Sequence, residues 1–62
     1  MTSRAELSSL ASGLDELAQR VTRLADSLPM AERDAFGADL YEVERTLVAA
    51  QRRLTRIVDT GR

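Results

Sequence analysis

"RLADSLPMAERDAF", residues 23–36, holds the chain's single proline and separates two long runs of heptad-spaced apolar residues. Proline is welcome in the first turn of a helix and disfavours a helical backbone at the residue before it. The stretch therefore reads as a helix ending near Ser27, a break at residues 28–29 and a new helix from Met30. Upstream, Leu7, Leu10, Leu14, Leu17, Val21, Leu24 and Leu28 recur at alternating steps of three and four. Downstream, Phe36, Leu40, Val43, Leu47, Ala50, Leu54 and Ile57 do the same. This is the a/d repeat of a coiled-coil seam, and the strict alternation of a strand is missing. The expected class is all-α, with helix 1 over about 4–27, a turn at 28–29 and helix 2 over about 30–59, in one domain of residues 1–62. So short a connection makes the helices antiparallel neighbours. Thr2 or Ser3 is the expected cap of helix 1, and Thr60-Gly61 the expected stop of helix 2.

A facing register follows if paired residue numbers sum to 57. Val21 then meets Phe36, Leu17 meets Leu40, Leu14 meets Val43, Leu10 meets Leu47 and Leu7 meets Ala50. One flank of that seam carries complementary charges, Glu6 with Arg53 and Arg20 with Asp39. The other flank carries the alanine row Ala11, Ala18 and Ala25, with Gly37, Tyr41, Val48 and Val58 on the same side of helix 2. Glu44 and Gln51 interrupt it. Two helices sharing one seam leave this small, apolar flank open; at the end of helix 2, Leu54 faces Ser3, and Ile57 and Val58 face nothing in the chain. The expected interface is thus Ala11, Ala18, Ala25, Gly37, Tyr41, Val48, Leu54, Ile57 and Val58. Its expected occupant is a second hairpin, giving a homodimeric four-helix bundle, or a larger protein.

Composition points the same way. A chain of 62 residues buries a marginal core and usually needs a disulfide, a metal or a partner. With no cysteine and no histidine, disulfides and an ordinary structural zinc site are excluded, and association is the option left. The net charge of −1 gives no general attraction to nucleic acid or anionic lipid. No apolar run approaches the roughly 20 residues of a membrane span, and the N-terminal stretch lacks the apolar core of a secretory signal, so the cytoplasm is the expected location.

The tripeptide Asp26-Ser27-Leu28 resembles the attachment site of the phosphopantetheine arm in acyl carrier proteins, where the serine opens a helix of a four-helix domain. Here Pro29 follows directly and the downstream helices are missing, so Ser27 reads as a turn or capping residue whose hydroxyl holds a helix-end amide. The stretch "LSSLASGLDELAQRVTRL" is similar to the first helix of all-helical chorismate mutases, a family whose activity needs residues from further helices. No serine has a histidine to activate it, and no glycine-rich phosphate loop is present. The expectation is a non-enzymatic protein–protein interaction module without cofactor or metal: an adaptor, scaffold or regulatory subunit. Helix 2 also divides by charge. Glu32, Asp34, Asp39, Glu42 and Glu44 outweigh Arg33 in its first half, and Arg45, Arg52, Arg53, Arg56 and Arg62 outweigh Asp59 in its second. The division complements the helix macrodipole. It also offers a basic tip, Arg45, Arg52, Arg53 and Arg56, as the alternative function: a regulator contacting nucleic acid or an acidic partner.

Overall fold

The computed structural model describes residues 3–60. Thr2 and Gly61, expected as cap and stop, lie outside the described residues. Helix α1 spans Ser3–Asp26. Helix α2 occupies residues 30–60 in three sections: an α-helical turn Met30–Glu32, a π-helical turn Arg33–Gly37 and a long α-helical section Ala38–Thr60. The two helices pack side by side as a hairpin, and every element among the described residues is helical. Its extents are 47 × 16 × 11 Å, two helices wide and one helix thick.

The turn is built from the residues around Pro29. The amides of Ser27 and Leu28 reach back three residues to the carbonyls of Leu24 and Ala25, at 3.1 and 3.4 Å, which tightens the last turn of α1. The Ser27 hydroxyl donates to the Leu24 carbonyl at 3.0 Å. It therefore satisfies a C-terminal carbonyl of α1 and not, as expected, an N-terminal amide of α2. Pro29 adopts φ −58°, ψ 155°, an extended conformation that re-aims the chain, and its carbonyl accepts the Arg33 amide at 2.9 Å to start α2. Leu28 is buried beneath this turn.

The π turn is tied to the end of α1. Arg33 sends its side chain back to α1, where its guanidinium donates to the Asp26 carbonyl at 3.1 Å. A Cβ at Gly37 would lie 3.1 Å from Arg33 Cγ, so glycine leaves the space that the arginine stem crosses. Four residues on, the Tyr41 hydroxyl donates to the Asp26 carboxylate at 2.5 Å. Asp26 thus holds α2 twice, through its carbonyl and its side chain.

The seam differs from the expected one. Ala11, Ala18 and Ala25 are 7, 3 and 1% exposed, and Gly37 is buried as well. Leu10, Leu17, Leu24, Val43 and Ile57 are left 44–56% exposed. The alanine row is therefore the inner row of the hairpin, not an open flank. On α1 the inward positions run Leu7, Ala11, Leu14, Ala18, Val21, Ala25, Leu28; on α2 they run Gly37, Leu40, Glu44, Leu47, Gln51, Leu54, Val58. Both helices are rotated about their axes so that the d-type row of α1 is turned away from the seam. Small side chains in the seam let two backbones approach, gaining continuous dispersion contact that two facing leucine rows would hold apart. Glu44 and Gln51 fit there because alanine leaves room for their stems while their polar heads reach water.

The register also slides. Ala18 shares a groove with Glu44 and Val48, where the 57 register would place Asp39. Ala11 shares one with Gln51 and Thr55, where it would place Thr46. The first turns of α2 are consumed in crossing the tip of α1. Val58, expected to face nothing, is half-buried, as is Leu54, expected against Ser3, while Ile57 stays open.

Candidate interaction surface

Rotation of the seam leaves a face. With 3.6 residues per turn, Leu10, Leu17 and Leu24 stand on one side of the inward row of α1. Phe36, Val43, Ala50 and Ile57 stand beside the inward row of α2. Because the helices are antiparallel, the two flanking rows fall on the same side of the hairpin. Six large apolar side chains are 40–56% exposed there: Leu10, Leu17, Leu24, Phe36, Val43 and Ile57. Leu7, Leu14, Val21, Leu40, Leu47 and Leu54, all half-buried, form the floor between them. Thirteen of the fourteen heptad positions read from the sequence are thus spread over one broad face, with only their floor shared with the seam, and Leu28 is buried beneath the turn. Leu17, Arg20, Val21 and Leu24 surround a shallow hollow on it, the four-residue arrangement that receives a side chain from a facing helix.

The expected interface residues are therefore separated. Ala11, Ala18, Ala25 and Gly37 lie inside the hairpin, and Val48, Leu54 and Val58 are half-buried along it. Tyr41 is 40% exposed on the opposite side from the broad face, at the turn end, tied to Asp26. Its phenol is held above the usual tyrosine range, first by that hydrogen bond, then by burial and the Asp26 charge, against a smaller opposite pull from Arg33. Of the expected set, Ile57 stands exposed on the broad face and Leu54 lies in its floor. The missed members, Leu10, Leu17, Leu24, Phe36 and Val43, are legible as heptad residues, but heptad spacing alone places them in the seam. The signal that could have found them is the alanine row itself, which offers a closer inner seam than leucine.

The opposite side is polar. Asp15, Gln19, Thr22, Arg23 and Glu44 line the groove beside Ala18, and Ser8, Ser12, Asp15 and Glu16 line the one beside Ala11. The basic tip is exposed throughout. Arg45 pairs with Glu42 at 2.9 Å, while Arg53 and Arg56 flank Ile57 and Thr60 around a shallow cleft. The flanking charges Glu6, Arg20, Asp39 and Arg53 form no ion pair with one another, because the rotated seam moves them to the two outer rims of the broad face.

Among the described residues no cluster of His, Cys, Asp or Glu could hold a metal, and no buried polar side-chain atom lacks a partner. None of the described helices is long and apolar enough to cross a membrane. No protein-family model, curated protein or solved structure matches the chain.

Proposed function

We propose that this chain is a non-enzymatic protein–protein interaction module, serving as an adaptor, scaffold or regulatory subunit, and that its working surface is the broad apolar face. The observation that carries this reading is the contiguous exposure of Leu10, Leu17, Leu24, Phe36, Val43 and Ile57 on one side of both helices. Single exposed leucines are ordinary; an ordered set covering a whole face marks an association site. The small inner seam supports the reading, because the hairpin alone gains little from burial and another surface on this face would add the missing core.

The test is Leu17→Glu, at the middle of the face. It should abolish association in sedimentation equilibrium. Leu17→Met, which keeps the apolar contact, should retain it. Retained association in the glutamate variant would remove the face from the function.

The cleft of Arg53, Arg56, Ile57 and Thr60 favours a second reading, in which the basic tip meets an acidic partner or nucleic acid. Replacing Arg52 and Arg56 by glutamine leaves the helices intact and separates the two. Binding to the tip falls steeply with added salt and is lost in this variant, whereas association through the apolar face is unchanged.

A further inference from the structure

Resting on the reading of the broad face as an interface, we infer that its occupant is a second copy of this chain with its turn at the same end. α1 of each copy then lies on α2 of the other, and the two hairpins close a four-helix bundle around a two-fold axis that runs along the helices.

The register of the hairpin carries the inference. Ala18 shares a groove with Glu44 and Val48, and Ala11 shares one with Gln51 and Thr55. Residues of α1 and α2 at one level therefore have numbers that sum to between 62 and 66, centred on 64. A two-fold axis along the helices leaves every level unchanged. Each residue of α1 thus finds on the second copy's α2 the level it already has on its own. Heptad rows of antiparallel helices mesh where an outer position of one meets a floor position of the other. A sum of 64 does this along the whole face. Leu10, Leu17 and Leu24 fall on Leu54, Leu47 and Leu40 of the second copy. In return Val43 and Ile57 fall on its Val21 and Leu7, and Phe36 closes over its turn at Leu28. No layer is left over, so all six exposed side chains are covered. The level set by the alanine seam is the level at which the leucine rows of two copies meet.

A copy turned end for end lays α1 on α1 and α2 on α2, and it meshes only with a layer lost. If Leu14 meets Leu24 of that copy, Leu7 lies level with residue 31, beyond its α1. If Leu7 meets its Leu24, Phe36 lies beyond its Thr60.

Charge and size agree with a second copy. The outer edge of α1 carries Glu6 and Glu16 nearer the open end and Arg20 and Arg23 nearer the turn. That of α2 carries Arg53 and Arg56 nearer the open end and Asp39 and Glu42 nearer the turn. With both turns at one end, the two edges oppose unlike charges along their length. Reversal also opposes unlike charges, so it is the layers that set the sense. Within the hairpin nothing lies within 4 Å of the Cβ that Gly13 lacks. In the bundle Gly13 comes level with residue 51 of the second copy, beside Ala50, the smallest side chain of the outer row, and the helices can close there. A face 47 Å long and 16 Å wide is on the scale of the roughly 800 Å² per subunit of a stable interface.

The experiment combines mass and one distance on the whole chain. Sedimentation equilibrium should give a dimer of the 6.9 kDa chain, lost in Leu17→Glu. Met30, 78% exposed beside the turn, becomes the sole cysteine in Met30→Cys and takes a nitroxide label. Double electron–electron resonance on that labelled dimer should give a separation below about 30 Å, since neighbouring helix axes lie about 8–10 Å apart. A separation close to the 47 Å length of the molecule overturns the same-end arrangement while keeping the copy and the face. A dimer that survives Leu17→Glu removes the face and the arrangement together. A strict monomer overturns the copy. In that monomer, binding of the dye 8-anilinonaphthalene-1-sulfonate, lost in Leu17→Glu, would still locate an open apolar face; no such binding would remove the face too.

Discussion

Asp26 ends α1 and anchors α2, taking Arg33 on its carbonyl and Tyr41 on its carboxylate. The raised Tyr41 pKa means that the fold favours the neutral phenol. That contribution is present in full below the ordinary tyrosine value of about 10 and is lost as pH rises through the higher folded-state value. Tyr41 is the only tyrosine, so its titration is readable by ultraviolet absorbance. Asp26→Asn should bring the midpoint down towards the ordinary value; an unmoved midpoint would remove the hydrogen bond as its cause. Gly37 is tied to the same lock. Alanine is favoured over glycine in a helix by about 1 kcal/mol, yet its Cβ would press on the Arg33 stem at 3.1 Å. Gly37→Ala should therefore stabilise an Arg33→Ala background by about 1 kcal/mol and the wild type by much less, a difference that a double-mutant cycle in urea measures. Ser27→Ala removes one exposed bond to the Leu24 carbonyl and should cost about 1 kcal/mol or less, with activity unchanged.

The helices show what heptad spacing decides and what it leaves open. Alternating steps of three and four, with Pro29 between them, are enough to specify two antiparallel helices, because no other common element has that period. They do not specify which flank turns inward. The row Leu7, Leu14, Val21, Leu28 is common to a seam with leucines at its side and a seam with alanines at its side, and packing chose the alanines. The π turn over Arg33–Gly37 was not legible either, since neither the heptad spacing nor the residue types there mark it. Ala18→Arg tests the seam. At 3% exposure the new side chain has no room between the helices, and overpacking costs about 1–3 kcal/mol before the cost of a buried charge. Helicity should collapse at every protein concentration, because the lesion lies within one hairpin. Ala49→Arg, at an exposed site of α2, should leave the circular dichroism unchanged.

For the whole molecule, the short inward list matters most. Apart from Leu28, nothing larger than alanine is buried among the described residues, and no large side chain is fully enclosed. A hairpin with so little interior sits near the limit at which a chain folds alone. Its melting temperature should therefore rise with protein concentration, as mass action requires of a fold completed by association. A melting curve identical across a hundredfold dilution would show that the hairpin is self-sufficient.

An interior of alanines also fails in one direction only. Most protein cores can be hollowed by truncating a large side chain, and they tolerate the void at a graded cost. Ala11, Ala18 and Ala25 have almost nothing to truncate, so nearly every substitution open to them adds atoms. The seam cannot be loosened by degrees; it accepts its present occupants or is pried apart. Glycine and serine are the replacements that fit these three positions with the least added volume, while the exposed leucines beside them can be exchanged without prying the helices apart.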